Sequence, residues 1–347
     1  MKNSFTAAVQ VGAVYVGTIV GAGFATGREI VEFFTRFGML GMLGILLAGC
    51  LFIWLGMKIL IISRRIGANS YKEFNLFLFG SKLGSIINVF MFVVLLAVTA
   101  VMISGAGAVF QEQLNVSKQV GMIATVLLAL LVMKFGVKGL LGVNMLVVPV
   151  LILFSIILAV NSFSFTIFTA EPVHEGNPLS WLLAAVSYAS FNLAMAQAVL
   201  VPLAKEIEDE KALKLGGWLG GGVLAAILLS SHIALSGLPG FIDFDIPMGQ
   251  VMKGAFSALF YIYILVIYGE IFTSVIGNLF GIERLAAQVL KVPKLLTVAA
   301  VLAVCFVFSQ YEYSSLISFL YPLFGYMSLG FMVLLIGRKF PEAPDRG

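Results

Sequence analysis

Long apolar stretches separated by charged breaks run almost end to end through this sequence. They fall near 5–35, 38–63, 83–110, 119–135, 139–162, 180–204, 214–238, 252–281, 294–310 and 315–337. An α-helix crosses a hydrocarbon core in about 20 residues, so each stretch predicts one crossing. None alternates with period two, which excludes an outer-membrane barrel. The expected fold is an all-α integral membrane protein of ten transmembrane helices. Between the second and third stretches, RRIGANSYKEFNLFLFGSK mixes charged and apolar positions, as an amphipathic segment lying in the interface does. The other connections are short apart from 163–179, which carries Glu171, His174 and Glu175.

Composition agrees. The 347 residues are 61% hydrophobic and 11% charged, against roughly 45–50% and about 25% in a soluble protein. The net charge of +4 becomes informative once the charges are placed. With the N-terminus inside, 17 of the 21 lysines and arginines fall on the inner side, and only Arg28, Arg36, Lys118 and Lys253 on the outer. Cytoplasmic loops carry that excess, so both termini are expected in the cytoplasm of a multi-pass cell-membrane protein. The positive charge is thus topology and not a nucleic-acid patch. One early lysine precedes a long apolar run without a small-residue cleavage site, so the first stretch reads as a retained span. Cys50 and Cys305 both lie in apolar runs, which leaves neither a disulfide framework nor a metal cluster.

Ten spans split into five and five, and because five is odd the halves enter the membrane in opposite senses. The expected organisation is a first repeat over 1–162, an extracellular connection over 163–179, an inverted second repeat over 180–337 and a cytoplasmic tail over 338–347. Secondary transporters built this way bind their solute at mid-membrane between helices that break there. Span 1 has Gly17, Gly21, Gly23 and Gly27 at its centre, and each interior glycine costs about 1 kcal/mol relative to alanine. An unwound turn there frees N–H and C=O groups that lipid cannot satisfy, with a half-helix expected to begin near Ala25. A small-residue packing face is the alternative. Span 6 places Ser187, Tyr188, Ser190 and Asn192 at its middle, then Gln197, and is expected to break in the corresponding position. Span 8 carries Glu270 near mid-depth. With Thr273 and Ser274 it forms an i, i+3, i+4 face of oxygen ligands suited to a hard cation or a proton.

Other polar groups read more plainly. His232 suits a satisfied interior histidine. Arg28, Glu29 and Glu32 open the outer part of span 1, where Arg28 and Glu32, four apart, are expected to pair at the interface or serve an outer gate. The run KEIEDEK after span 6 reads as a solvated loop. No phosphate-binding loop, HExxH, GxSxG or paired cysteine motif supports ATP-driven pumping or enzymatic chemistry.

The motif GTIVGAGFATGREIVEFF in span 1, with the ten-span layout, resembles the YkvI-type bacterial membrane proteins. Through them it is similar to the LeuT-fold transporters of the amino acid, polyamine and organocation superfamily. That resemblance implies spans 1 and 6 broken at mid-membrane, and a sodium ion held by the carbonyls of Gly17 and Val20, the carbonyl of Glu270 and the hydroxyls of Thr273 and Ser274. It implies a solute site with the carboxylate received at Gly21, Ala22 and Gly23, Phe24 beside them, opposite Tyr188, Ser190 and Asn192. Phe24 stands where neurotransmitter-type members place an asparagine, so a second sodium site is not expected. Glu270 at the carbonyl-donor position is an acid, which suits tighter sodium binding, neutralisation of an amine, or protonation in place of sodium.

The sequence thus points to a transporter of a small organic solute, an amino acid or related amine, coupled to sodium by alternating access. Spans 1, 2, 6 and 7 are expected to rock against spans 3, 4, 8 and 9. Proton coupling through Glu270 is the alternative within transport, and a non-transporting receptor or sensor on the same scaffold the alternative outside it. No cofactor beyond the coupling ion is expected, the partners are the solute and the lipid, and the oligomeric state is left open.

Overall fold

The computed structural model describes residues 4–135, 177–289 and 293–342, with 149, 150, 153, 154, 156, 157 and 160 between them. Most of the expected fifth span and most of the 163–179 connection fall outside the described residues. Among the described residues the chain is helical, with no strand. The first apolar stretch forms three pieces: α1 (Ser4–Ile19), α2 (Ala22–Thr26) and α3 (Arg28–Phe33). There follow α4 (Met39–Ile66), α5 (Tyr71–Ala108), α6 (Lys118–Phe135), α7 (Ser180–Glu206) and α8 (Glu210–Ser236). The short α9 (Pro247–Ala255) leads to α10 (Phe260–Val289), α11 (Lys294–Phe308) and α12 (Tyr313–Gly337). Six helices, α4, α5, α7, α8, α10 and α12, are long and apolar enough to cross a membrane, while α1, α6 and α11 are shorter apolar helices.

The amphipathic segment becomes the first part of α5. Ser70 caps it by accepting from the Glu73 N–H, and the Glu73 carboxylate reaches back to the Asn69 N–H at 2.8 Å, an exchange of the capping-box kind. Gly80, at φ 75° and ψ 177°, turns this part away from the crossing that follows.

The helices pack in two groups, α1, α4, α7 and α8 in one, α5, α6, α10 and α11 in the other. Apolar surface gains little from leaving lipid, so close backbone approach holds such helices together. The LGGWLGGG run of α8 places glycines four apart in two adjacent stripes. Gly216 and Gly220 receive α1, where a methyl on Gly12 would lie 3.3 Å from Gly216 O. Gly217 and Gly221 receive α4, where added methyls would lie 2.8 Å from Met57 Cα and 2.6 Å from Ile53 Cα. Helix α12 bridges the groups, pressing Gly325 onto Ser187 of α7 and Tyr313 onto Gly105 of α5.

Polar contacts collect at two ends. At one, Ser4 donates to the Asp209 carboxylate, Arg65 binds Glu210 at 3.2 and 2.7 Å, and Arg65 also reaches Pro341 O at 2.8 Å. At the other, Lys118 donates to Tyr311 O at 2.6 Å, Glu112 accepts from the Asp245 N–H at 2.7 Å, and Asp245 accepts from the Ser314 N–H at 2.8 Å.

Candidate functional site

Helix α1 stops inside the protein. Its last regular bond runs from Val20 N–H to Val16 C=O at 2.8 Å, and the ladder resumes from Ala25 N–H to Gly21 C=O at 2.9 Å. The carbonyls from Gly17 to Val20 therefore lie outside the regular ladder. A second interruption comes at Gly27, with φ 82°, a conformation that a side chain disfavours. A methyl there would also lie 2.6 Å from Met248 Cγ of α9. The structure thus corrects the expected half-helix beginning near Ala25: the outer part of span 1 is two short turns, because glycine interrupts it twice.

Helix α10 lines one side of the break. A methyl on Gly21 would sit 3.6 Å from Ser274 Oγ, and the Tyr263 hydroxyl donates to Ala25 O at 3.3 Å. Thr273 donates to Glu270 O at 3.1 Å, so two of the expected cation ligands are bonded to each other. Glu270 is buried, with Oε1 lacking a hydrogen-bond partner. On the α12 side, the Tyr313 and Thr26 hydroxyls meet at 3.0 Å, and Thr26 donates to Gly23 O at 3.0 Å. Ala22, Phe24 and Ala25 are fully enclosed.

Span 6 departs from expectation. Helix α7 runs unbroken from Ser180 to Glu206. Its polar residues bond within the helix: Ser187 donates to Ala184 O at 3.0 Å, and Asn192 to Tyr188 O at 3.0 Å. These polar groups are satisfied within the helix, and no glycine lies between Ser180 and Glu206 to open it. Tyr188 and Ser190, two residues apart, point to different sides of α7. Tyr188 sits among Phe33, Phe34 and Phe52, with ring centroids 5.1, 5.0 and 6.1 Å away. Its hydroxyl and that of Ser190 are buried without hydrogen-bond partners, as is Gln197 Oε1.

The charged residues after the break are arranged otherwise than their spacing predicts. Arg28 is buried and donates to Ile242 O, to Phe244 O at 3.2 Å and to Ser318 Oγ at 3.4 Å. Glu32 pairs with Arg36 at 2.5 Å and accepts from Ser318 at 2.9 Å, so Ser318 stands between Arg28 and Glu32. Helix α3 is buried on all sides; Arg28 turns to carbonyls far along the chain, while Glu32 keeps a local partner in Arg36. His232 meets Thr35 through Nδ1 at 3.2 Å, while Nε2 has no partner.

Glu29, named with Arg28 and Glu32 at the outer part of span 1, was not expected to lie against the break. Glu29 is buried on α3, and a methyl on Gly23 would land on its carboxylate. Tyr321, Tyr188 and Tyr313 lie close enough to sense its charge. A signal was present in the sequence: Tyr188, Tyr263 and Tyr321 sit in apolar spans, where a phenol needs a polar neighbour.

The buried, interrupted first helix at the seam of two helix groups defines a class of membrane protein, and comparison with solved structures identifies it as the LeuT fold. The chain superposes on a manganese transporter of Eremococcus coleocola with a TM-score of 0.63 at 14% identity, covering 99% of this chain and 82% of that one. Against Mhp1 in its inward-facing conformation the TM-score is 0.65 at 13% identity, covering 94% and 74%. In sequence it is 52% identical to the membrane protein YkvI of Bacillus subtilis (strain 168) over 343 residues, 99% of each chain. It is 27% identical to YyaD of the same organism over 322 residues, 92% of this chain and 94% of that one. No family model matches. The chain belongs to the YkvI family.

Proposed function

We propose that this protein is a secondary active transporter of a small organic solute, an amino acid or related amine, working by alternating access. One observation carries the reading: the first helix is interrupted at Val20–Gly21, with Val20 buried and Gly21 half-buried, where α2 meets α10 of the other group. Backbone groups freed inside a membrane protein need ligands, and a seam between two packed groups is where rocking alternately exposes them. The fold shared with transporters supports the same reading. In this reading ten spans form two inverted repeats, with both termini cytoplasmic. The group of α1, α4, α7 and α8 rocks against that of α5, α6, α10 and α11.

Sodium is the proposed coupling ion, held by the carbonyls of Gly17, Val20 and Glu270 and the hydroxyls of Thr273 and Ser274. The approach of Gly21 to Ser274 supports it, since it brings the break against that hydroxyl. A cation bound there orders the break that receives the solute, so each ligand raises the other's affinity. The unpartnered, buried Glu270 Oε1 favours a second reading in which that side chain carries a proton. Uptake of labelled amino acids into proteoliposomes, at fixed pH with and without a sodium gradient, separates the two. Sodium-driven accumulation is expected; accumulation that follows a proton gradient and ignores sodium would overturn sodium coupling.

A further inference from the structure

Glu29 is the buried acid nearest the break, and the reading above gives it no role. Its carboxylate lies over Gly23, in space that exists only because that residue lacks a Cβ. Three tyrosines from two other helices lie close enough to sense its charge: Tyr188 of α7, and Tyr313 and Tyr321 of α12. Behind Tyr188 stand the rings of Phe33, Phe34 and Phe52. The neighbouring cations are engaged elsewhere, Arg28 with the carbonyls of Ile242 and Phe244, Arg36 with Glu32. Among the described residues no ion pair includes Glu29. An ionised carboxylate at this depth needs a counter-charge, and the protein's own side chains do not bring one to it.

We infer that Glu29 binds the ammonium group of the solute, so that the cargo is an amine, cationic or zwitterionic. This rests on the transporter reading above. Three features fit such a group. The carboxylate supplies the charge, and the tyrosine hydroxyl oxygens accept the remaining ammonium protons. The aromatic faces suit the alkyl carbons and the cation beside them. The adjoining break offers peptide groups to whatever the solute carries next to its nitrogen. Recognition of the solute's ammonium is thereby assigned to Glu29, and the coupling ion is left to the Glu270 side.

The test uses the full chain, purified and reconstituted, with L-phenylalanine, phenethylamine and 3-phenylpropionate as matched probes, and L-alanine, ethylamine and propionate as a smaller set. Binding is read by thermal shift and transport by uptake of labelled probe. In the unmodified protein the amine-bearing probes are expected to bind and the two amine-free acids to fail. Glu29→Gln, which keeps the side chain's shape, is expected to weaken amine binding about a hundredfold or more, the scale of removing one partner from a buried charge pair. Glu29→Asp is expected to keep the preference for amines with weaker affinity, and it serves if the glutamine variant fails to fold. Unchanged amine binding in Glu29→Gln, including the case where only dependence on a pH gradient is lost, overturns the inference and leaves transport standing. Equal binding of phenethylamine and 3-phenylpropionate does the same. Binding without gradient-driven uptake of any probe overturns the transporter reading, while the Glu29 assignment stands or falls on the thermal shifts.

Discussion

Gly27 shows how much of the site depends on a missing side chain. Its φ of 82°, and the 2.6 Å that would separate an added methyl from Met248, leave Gly27→Ala two ways to strain the fold. A cost of about 1–3 kcal/mol is expected for such a backbone position, seen as a lower melting temperature with solute binding weakened alongside. The opposite outcome belongs to Thr273→Ala with Ser274→Ala. The Thr273 hydroxyl bonds only its own helix, at Glu270 O, so the double variant should fold and lose its dependence on sodium; wild-type sodium affinity there would refute the proposed ion site. The break at Gly21 was legible in the sequence because glycine weakens a helix locally, whatever surrounds it. Glu29 was not, because its depth and its tyrosines are set by α7 and α12, far away in the chain.

Among the elements, α8 is where glycine spacing converts most directly into assembly. Gly217→Leu would drive a side chain into Met57 of α4, where a methyl already comes within 2.8 Å of its Cα. Overpacking of this kind costs about 1–3 kcal/mol, so a lower melting temperature is expected; Gly222→Leu, where an added methyl meets nothing within 4 Å, should leave it unchanged. The strap of α9 and the turn before it has a different fastening. Glu112 accepts from the Asp245 N–H at 2.7 Å, the Ile246 N–H at 3.2 Å and Gln250 at 3.2 Å. Removing such charge-assisted bonds in Glu112→Ala should raise the open fraction about tenfold or more. Thiol labelling of Met248→Cys, a buried position, in a background without Cys50 and Cys305 would read that opening. Helix α7 marks the limit of reading polarity as a break: serine and asparagine in mid-span can bond their own helix, and here Ser187 and Asn192 do.

For the protein as one body, the proposed topology makes a prediction that needs no solute. A reporter fused after Glu342 should be cytoplasmic, and one inserted beside Gln310 should lie outside. Finding both on one side would undo the count of crossings. The two ends already differ in kind: arginine and lysine contacts join the ends of α4, α7 and α12 at one, while the Glu112 and Asp245 network closes the other.

Hydropathy and charge were enough to establish a helical membrane protein and to locate the weak point of its first helix, since lipid solvation and glycine's entropy act on each segment separately. Which segments meet at that weak point is another matter. Ser274 beside Gly21, tyrosines around Glu29 and the strap over Gly27 arise from residues far apart in the chain. They are decided by how the two helix groups pack, and close packing of backbones is a property of pairs of helices that no single helix carries.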